Sequence, residues 1–224
     1  MVSIVASHCR PPLTWAVERS AGSAAAFHGR EMPAVVSRTV WIHDVSVPSL
    51  VLGSSQRPEI VDDATIGSFE VVRRRSGGGA VLLMPGEVVW LDALIPNGDP
   101  LWSDDVSRAS HWLGGVWVAA LGYGEVHRGP MVRTPWSSLV CFAGLGPGEV
   151  TVDGRKLVGI SQRRVRAGAR FQCAVYARHD PSVLPGLLRL TSAERAECAA
   201  ALVPVGTVSC APDVLSRFLD ALPS

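Results

Sequence analysis

The segment Glu149 to Ser161, "EVTVDGRKLVGIS", decides the fold. Two alternating runs rich in β-branched residues flank Asp153-Gly154, a two-residue loop that closes a tight hairpin. Such a loop pairs Val152 with Arg155, Thr151 with Lys156 and Val150 with Leu157. Lys156 is then expected to point outward, away from the face carrying Val150, Val152 and Leu157. Downstream, "RFQCAVY" (170–176) reads as one more strand, and upstream "SLVCFAG" (138–144) reads as another. Further back, "RTVWIHDVS" (38–46), "LVLGSSQ" (50–56), "GSFEVVRRRS" (67–76), "AVLLM" (80–84) and "VVWLDALI" (88–95) carry the same signal, broken by Pro48 and by glycine-rich turns.

The period changes in three places. After "PNGDPLW", Ser103 can cap a helix and Asp104 and Asp105 suit its first turn. Val106, Ala109, Leu113, Val116 and Ala120 then recur at helical spacing until Gly122 and Gly124. Thr191 to Glu194 forms a capping box, and Pro212 suits the opening of a last helix through "VLSRFLDAL" (214–222). A lead-in over residues 1–35 is expected to hold one helix near "WAVERSAGSAAAF" (15–27). Hairpin turns outnumber helical crossovers, so the expected class is α+β: a mixed, mostly antiparallel β-sheet with packed helices. One catalytic-sized domain spans 1–224, with a helical tail over 177–224 and no separate accessory domain.

The chain has 224 residues and a formal net charge of +1. Basic and acidic residues are interspersed, which argues against a whole-protein field for nucleic acid and makes any basic site local. Five cysteines without a CxxC pair argue against a disulfide framework or a zinc knuckle. A reducing cytoplasm fits that usage. The start has no charged n-region and no window approaches 18 apolar residues, so neither a signal peptide nor a membrane span is expected.

Chemistry concentrates in two segments. In Arg73 to Gly79, three arginines precede Ser76 and three glycines. Bare backbone can approach a ligand and turn its N–H groups inward, while guanidiniums neutralise phosphate or carboxylate. The alternative is a glycine-rich hairpin beside a solvated arginine cluster. The order fits neither a Walker loop nor a dinucleotide fingerprint. The second segment, Val152 to Arg170, collects Arg155, Lys156, Arg163, Arg164, Arg166 and Arg170. It reads either as a solvated edge or as a binding strip, and without interleaved aromatics an RNA surface is discounted. No metal-ligand spacing stands out. His43, in "WIHDV", reads as a strand residue paired with its neighbours.

Together the two segments resemble the lipoate-protein ligase and octanoyltransferase branch of the biotin/lipoate ligase superfamily. The Arg-Arg-x-Ser-Gly-Gly-Gly-Ala-Val motif of that branch is matched at Arg73 to Val81. Its Gly-Arg-Lys-x-x-Gly-x-Ser-Gln-Arg element is matched at Gly154 to Arg163, and its early Gly-x-x-Gln at Gly53 to Gln56. The resemblance implies a lipoyl or octanoyl pocket bounded by Arg74, Ser76, Gly77, Gly78, Gly79 and Ala80, with Gly159, Ser161 and Gln56 beside it. Lys156 would contact the acyl carbonyl and act as an electrostatic catalyst. It implies an amide formed on a lysine of a lipoyl-carrier domain or a glycine-cleavage H-type protein, with ATP and Mg2+ needed for an acyl-adenylate route.

This chain departs from the pattern. The His-Asp that usually follows the glycines is Leu83-Met84, the later Asn is Glu87, and a His-Gly-Thr is Cys173 to Val175. Cys141 stands fifteen residues before Lys156, the spacing at which one branch of octanoyltransferases carries its acyl-accepting cysteine. That branch takes its acyl group from an acyl carrier protein and uses no ATP. The ligase loop puts the adenylate route first and the thioester route second, with Cys141 alternatively a small core residue. A non-catalytic acyl-binding module is a third reading, and the arginine-glycine element of biotin ligases is missing. Cys173, Cys198 and Cys210 read as core residues.

Overall fold

The computed structural model describes residues 14–209 and 211–224, so Cys9 and Cys210 lie outside the described residues. Ten strands and five α-helices run in the order β1 (Ala16–Gly22), α1 (Ala24–Gly29), β2 (Thr39–Val45), β3 (Ser49–Leu52), β4 (Glu70–Arg73), β5 (Val81–Leu83), β6 (Val88–Pro96), α2 (His111–Leu121), β7 (Glu125–Val126), β8 (Val150–Val152), β9 (Arg155–Val165), β10 (Gly168–Tyr176), α3 (Val183–Gly186), α4 (Ser192–Leu202) and α5 (Ala211–Asp220). A seven-stranded sheet has the order β1-β2-β6-β10-β9-β8-β7, and a three-stranded sheet the order β4-β3-β5. Only β1 with β2 and β3 with β4 pair in parallel, so the α+β, mostly antiparallel expectation holds.

Alternation along β6, β9 and β10 gives the large sheet two different faces. Leu91, Val158, Phe171 and Cys173 pack beneath α2 and α5, where Trp117 and Phe218 meet with ring centroids 4.5 Å apart. Each fully buried side chain of this size contributes about 1.5–3 kcal/mol. The opposite face carries Trp90, Asp92, Gly159, Ser161, Gln172 and Ala174. There the small sheet and α1 add Val51, Val72, Val81, Leu83, Ala24 and Phe27, which form an apolar cluster with Trp90. A gap between the two sheets is thereby built into the fold.

Four local expectations need correction. The hairpin turns at Asp153 and Gly154 with φ of 49° and 72°, and Val152 pairs Arg155 and Thr151 pairs Lys156, but a β-bulge then sets Val150 against Val158 in place of Leu157. The central helix starts at His111, not after Ser103. Ser107 donates to the Asp105 carboxylate, Gln162 to the Val106 carbonyl and Arg164 to the Ser103 carbonyl, so local and cross-strand bonds take the groups a helical turn would need. "SLVCFAG" makes a single bridge, Val140 with Ala80, and then a 3-10 turn over Cys141–Ala143. In the lead-in, the helix is α1, and residues 16–22 form an exposed edge strand with no apolar period to betray it. The capping box at Thr191 and Glu194 is present as read.

Candidate active site

Cys141 is seated by backbone. Its N–H donates to the Ala80 carbonyl (2.9 Å), and the Ala80 N–H donates to the Leu139 carbonyl (2.8 Å). Gln56 clamps the same segment by donating to the carbonyls of Ser138 (3.1 Å) and Leu139 (2.9 Å) while accepting from the Gly53 N–H (2.8 Å). Gln56 and Ala80 therefore shape the site without facing its cavity.

The glycine loop closes over the sulfur. A Cβ built on Gly78 would lie 4.0 Å from Cys141 Sγ, and Gly78 has φ of 97°, where side chains are disfavoured. A Cβ on Gly79 would come within 2.6 Å of the Val140 carbonyl carbon and 2.8 Å of the Cys141 nitrogen. Gly79→Ala must therefore pry Ala80 from Val140. We expect a stability loss of about 1–3 kcal/mol and slowed alkylation of Cys141, read by thermal melting and by iodoacetamide labelling. Arg74 is 5% exposed and spends its guanidinium on the loop, donating to the carbonyls of Gly77 (2.8 Å) and Gly79 (2.9 Å). Among the described residues the N–H groups of Gly77, Gly78 and Gly79 donate no hydrogen bond within the protein. Of the three, Gly78 lies nearest the sulfur, and a free N–H there suits an oxygen bound beside Cys141.

Lys156 is not outward. It is 6% exposed, and its ammonium meets the Glu149 carboxylate (2.7 Å), the carbonyls of Gly144 (3.1 Å) and Cys141 (3.2 Å), and Cys141 Sγ (3.9 Å). The large sheet carries Lys156 inward beneath the 3-10 turn, where Phe142 lies 4.8 Å from the nitrogen. Burial pushes the ammonium's pKa down, but the charges of Cys141 and Glu149 outweigh it and hold the value above that of an ordinary lysine.

Behind Cys141 lies a cavity of roughly 430 Å³, part of it open to solvent. Val51, Val81, Leu83, Phe142 and Trp90 make its apolar walls, and Gly159 and Ala174 lie on its sheet side. One side is polar: Ser76 Oγ bonds Ser161 Oγ (3.1 Å) and donates to Gln172 (3.2 Å). His28 of α1 closes the cavity over Trp90, ring centroids 4.7 Å apart, and Gln172 bonds its Nδ1. Burial pushes His28 down to about 3, so its imidazole is neutral. Beneath, His43 and Arg170 both bond the buried Asp92 carboxylate (2.8 Å each), and Arg170 also donates to the carbonyls of Phe27 and Arg30, which pins α1 in place.

The structure thus brings Cys141, Arg74, Gly159 and Ser161 to one cavity, with Lys156 and Gly78 against Cys141 and Ser76 against Ser161 just behind its lining. Glu149 and His28 escaped the sequence reading. Glu149 lies in a Gly-Pro-Gly-Glu turn seven residues before Lys156, a weak hint, and nothing local announces His28. Cys173 and Cys198 are fully buried, and burial raises both thiols, Cys198 to about 11.

A family model, the lipoyl protein ligase A/B catalytic domain, matches residues 30–211. The chain belongs to that family. Its fold is similar to a bi-partite lipoate protein ligase from Thermoplasma acidophilum, described with its E2 lipoyl domain, at 13% identity and a TM-score of 0.70, covering 93% of this chain and 82% of that one. It is also similar to lipoate-protein ligase A bound with ATP, at 15% identity and a TM-score of 0.62 over 92% and 82% of the two chains. A third likeness is to LipL1 of P. falciparum in complex with lipoate, at 11% identity and a TM-score of 0.56 over 92% and 71%. A search of curated proteins found no match. At these identities the likeness establishes the fold, a lipoate-ligase-like α+β domain of a family of ligases and transferases. No helix among the described residues is long and apolar enough to cross a membrane.

Proposed function

We propose that the protein is a cytoplasmic acyltransferase that moves a medium-chain acyl group, octanoyl or lipoyl, from a thioester onto a lysine of a lipoyl-carrier domain or H-type protein through Cys141. The observation that carries this reading is the sulfur at the head of an apolar cavity, with an ammonium 3.9 Å away and unpaired backbone donors beside it. The Cys141 thiolate attacks the donor carbonyl, a C–S bond forms, and the carrier's thiolate leaves, taking up the proton that the Cys141 thiol gave away. The acceptor amine then attacks the acyl-cysteine, the C–S bond breaks, and the amine's proton returns to sulfur. In both steps the carbonyl oxygen becomes negative, a charge that the glycine N–H groups can meet and that the Lys156 ammonium, 3.9 Å from the sulfur, favours through space. An acyl carrier protein is the proposed donor.

This order reverses the sequence expectation, which placed the ATP-dependent ligase first. ATP with Mg2+ would need polar groups where the family carries His, Asp and Asn. Here Leu83 is a buried wall of the cavity, Met84 is apolar, and Glu87, 3.5 Å from Arg178, adds negative charge. These residues do not suit a triphosphate, and Arg74 is committed to its own loop. The separating experiment incubates the protein and a lipoyl domain with either octanoyl-carrier protein or lipoate plus ATP. The proposal expects the domain to gain mass with the carrier donor alone. Gain only with ATP favours the ligase, and gain with neither favours a binding module.

The cavity also supports a chain length. Gly159, Ala174 and Trp90 lie side by side on β9, β10 and β6, so the sheet side of the cavity runs about two strand spacings, or ~9.5 Å, from Gly159 to the Trp90 that His28 covers. Seven carbon–carbon bonds extend about 8–9 Å at the rise of an extended chain. His28→Ala is expected to let longer acyl chains compete, since each added buried methylene gains ~0.8 kcal/mol. Acyl-enzyme masses formed from a ladder of donors check this. An unchanged preference would remove His28 from the end of the pocket.

A further inference from the structure

We propose that Glu149 is the positioning residue of the site, holding the Lys156 ammonium against the carbonyl and sulfur of Cys141. The assignment rests on the acyl-transfer reading above. Glu149 is 4% exposed and uses both oxygens: Oε2 accepts from the Gly146 N–H (2.6 Å), and Oε1 accepts from the Ile160 N–H (3.1 Å) and from Lys156 (2.7 Å). The carboxylate is thus fixed by backbone on two sides, one from its own turn and one from β9, before it meets the lysine. A lysine ammonium has three protons. Those of Lys156 are spoken for by Glu149, Gly144 and the Cys141 carbonyl, with the Cys141 sulfur the next neighbour at 3.9 Å.

A surface ion pair would not support this, because exposed pairs contribute little. Here both partners are about 95% covered, and a buried charge of either sign needs its counter-charge. The charged groups that act on Lys156 are Glu149 from the turn before β8, Cys141 from the 3-10 turn and Arg74 from the end of β4, the last opposing its charge. Removing Glu149 leaves Arg74 and burial both acting against the ammonium. Lys156 should then lose its proton at lower pH and lose its aim at the same time. Glu149 touches no reacting atom, so its effect passes through Lys156.

The test uses the whole protein and two readouts across pH: formation of octanoyl-Cys141 from octanoyl-carrier protein, and alkylation of Cys141 by iodoacetamide, which needs no acyl chemistry. In Glu149→Gln, acylation is expected to fall about 10- to 100-fold, the usual scale for a partner that orients a site's charged group, and the alkaline limb of both profiles should move to lower pH. Glu149→Asp keeps the charge but retracts it by one methylene. It should slow acylation while leaving the alkaline limb near its wild-type position, and it decides the matter if the glutamine variant fails to fold. Wild-type rates and profiles in a folded Gln variant, or a wild-type rate in the Asp variant, would overturn the assignment. If wild type forms no acyl-enzyme but alkylation still shifts in Glu149→Gln, the transfer reading fails and the positioning of Lys156 stands.

Discussion

Cys141→Ser is expected to lower octanoyl transfer from a carrier thioester by about 10³-fold or more, the scale seen when a nucleophile is removed from a site that keeps its electrostatics. Serine preserves shape, and the cysteine is half-buried, so the change should cost no more than about 1 kcal/mol of stability. The hydroxyl ionises far less readily than a thiol near neutral pH, and any ester it forms hydrolyses and transfers slowly. Mass spectrometry should find either no adduct or a persistent one. Retention of most activity in this variant would return Cys141 to the role of a packing residue and revive the adenylate route, in which the sulfur has no task.

Lys156→Ala is expected to damage both activity and stability, because Lys156 is buried and paired where the sequence suggested an outward side chain. The alanine strands the Glu149 carboxylate in a buried setting, a loss of about 3–5 kcal/mol when one partner of a buried pair is removed. It also removes the cation nearest the sulfur, whose charge favours the developing oxyanion, for roughly a further 10²–10³-fold in rate. Lys156→Arg separates the two effects. Its charge still answers Glu149, so the melting temperature should largely survive. A planar fork, however, cannot serve the carbonyls of Gly144 and Cys141 from one point, and transfer should still fail. The pH dependence has a definite sign. Because the folded value of Lys156 is raised, the pair's stabilisation is complete below the ordinary lysine range near pH ~10.4 and is lost only as pH rises through the raised value. Melting temperatures measured across that alkaline range check it.

The sequence was most legible where local chemistry is short-ranged. Asp153-Gly154 announced its hairpin, Thr191 and Glu194 their capping box, and the alternation in 88–95 a buried strand. It was least legible where tertiary partners decide. The bulge at Val150 cannot be read from β-branched residues that fit either register. Ser103 to Ser110 carry helix-start signals, yet Gln162 and Arg164, distant in sequence, hold their carbonyls. For the site, the motif residues lie near Cys141 in space, a proximity that sequence alone does not turn into roles. Arg74 and Gln56 brace loops, while Lys156 turned inward because Glu149, an acid with no motif of its own, waits beneath the turn. His28 reached the cavity through α1, which Arg170 fastens from β10, the middle strand of the large sheet.

The central claim is that an acyl chain rests on Cys141 during turnover. Intact-protein and peptide mass spectrometry after brief mixing with octanoyl-carrier protein, without ATP and without acceptor, tests it most directly. The account predicts a single octanoyl mass increment on the peptide containing Cys141, released by hydroxylamine and discharged when a lipoyl domain is added. An unmodified Cys141 together with ATP-dependent octanoylation of the lipoyl domain would contradict it.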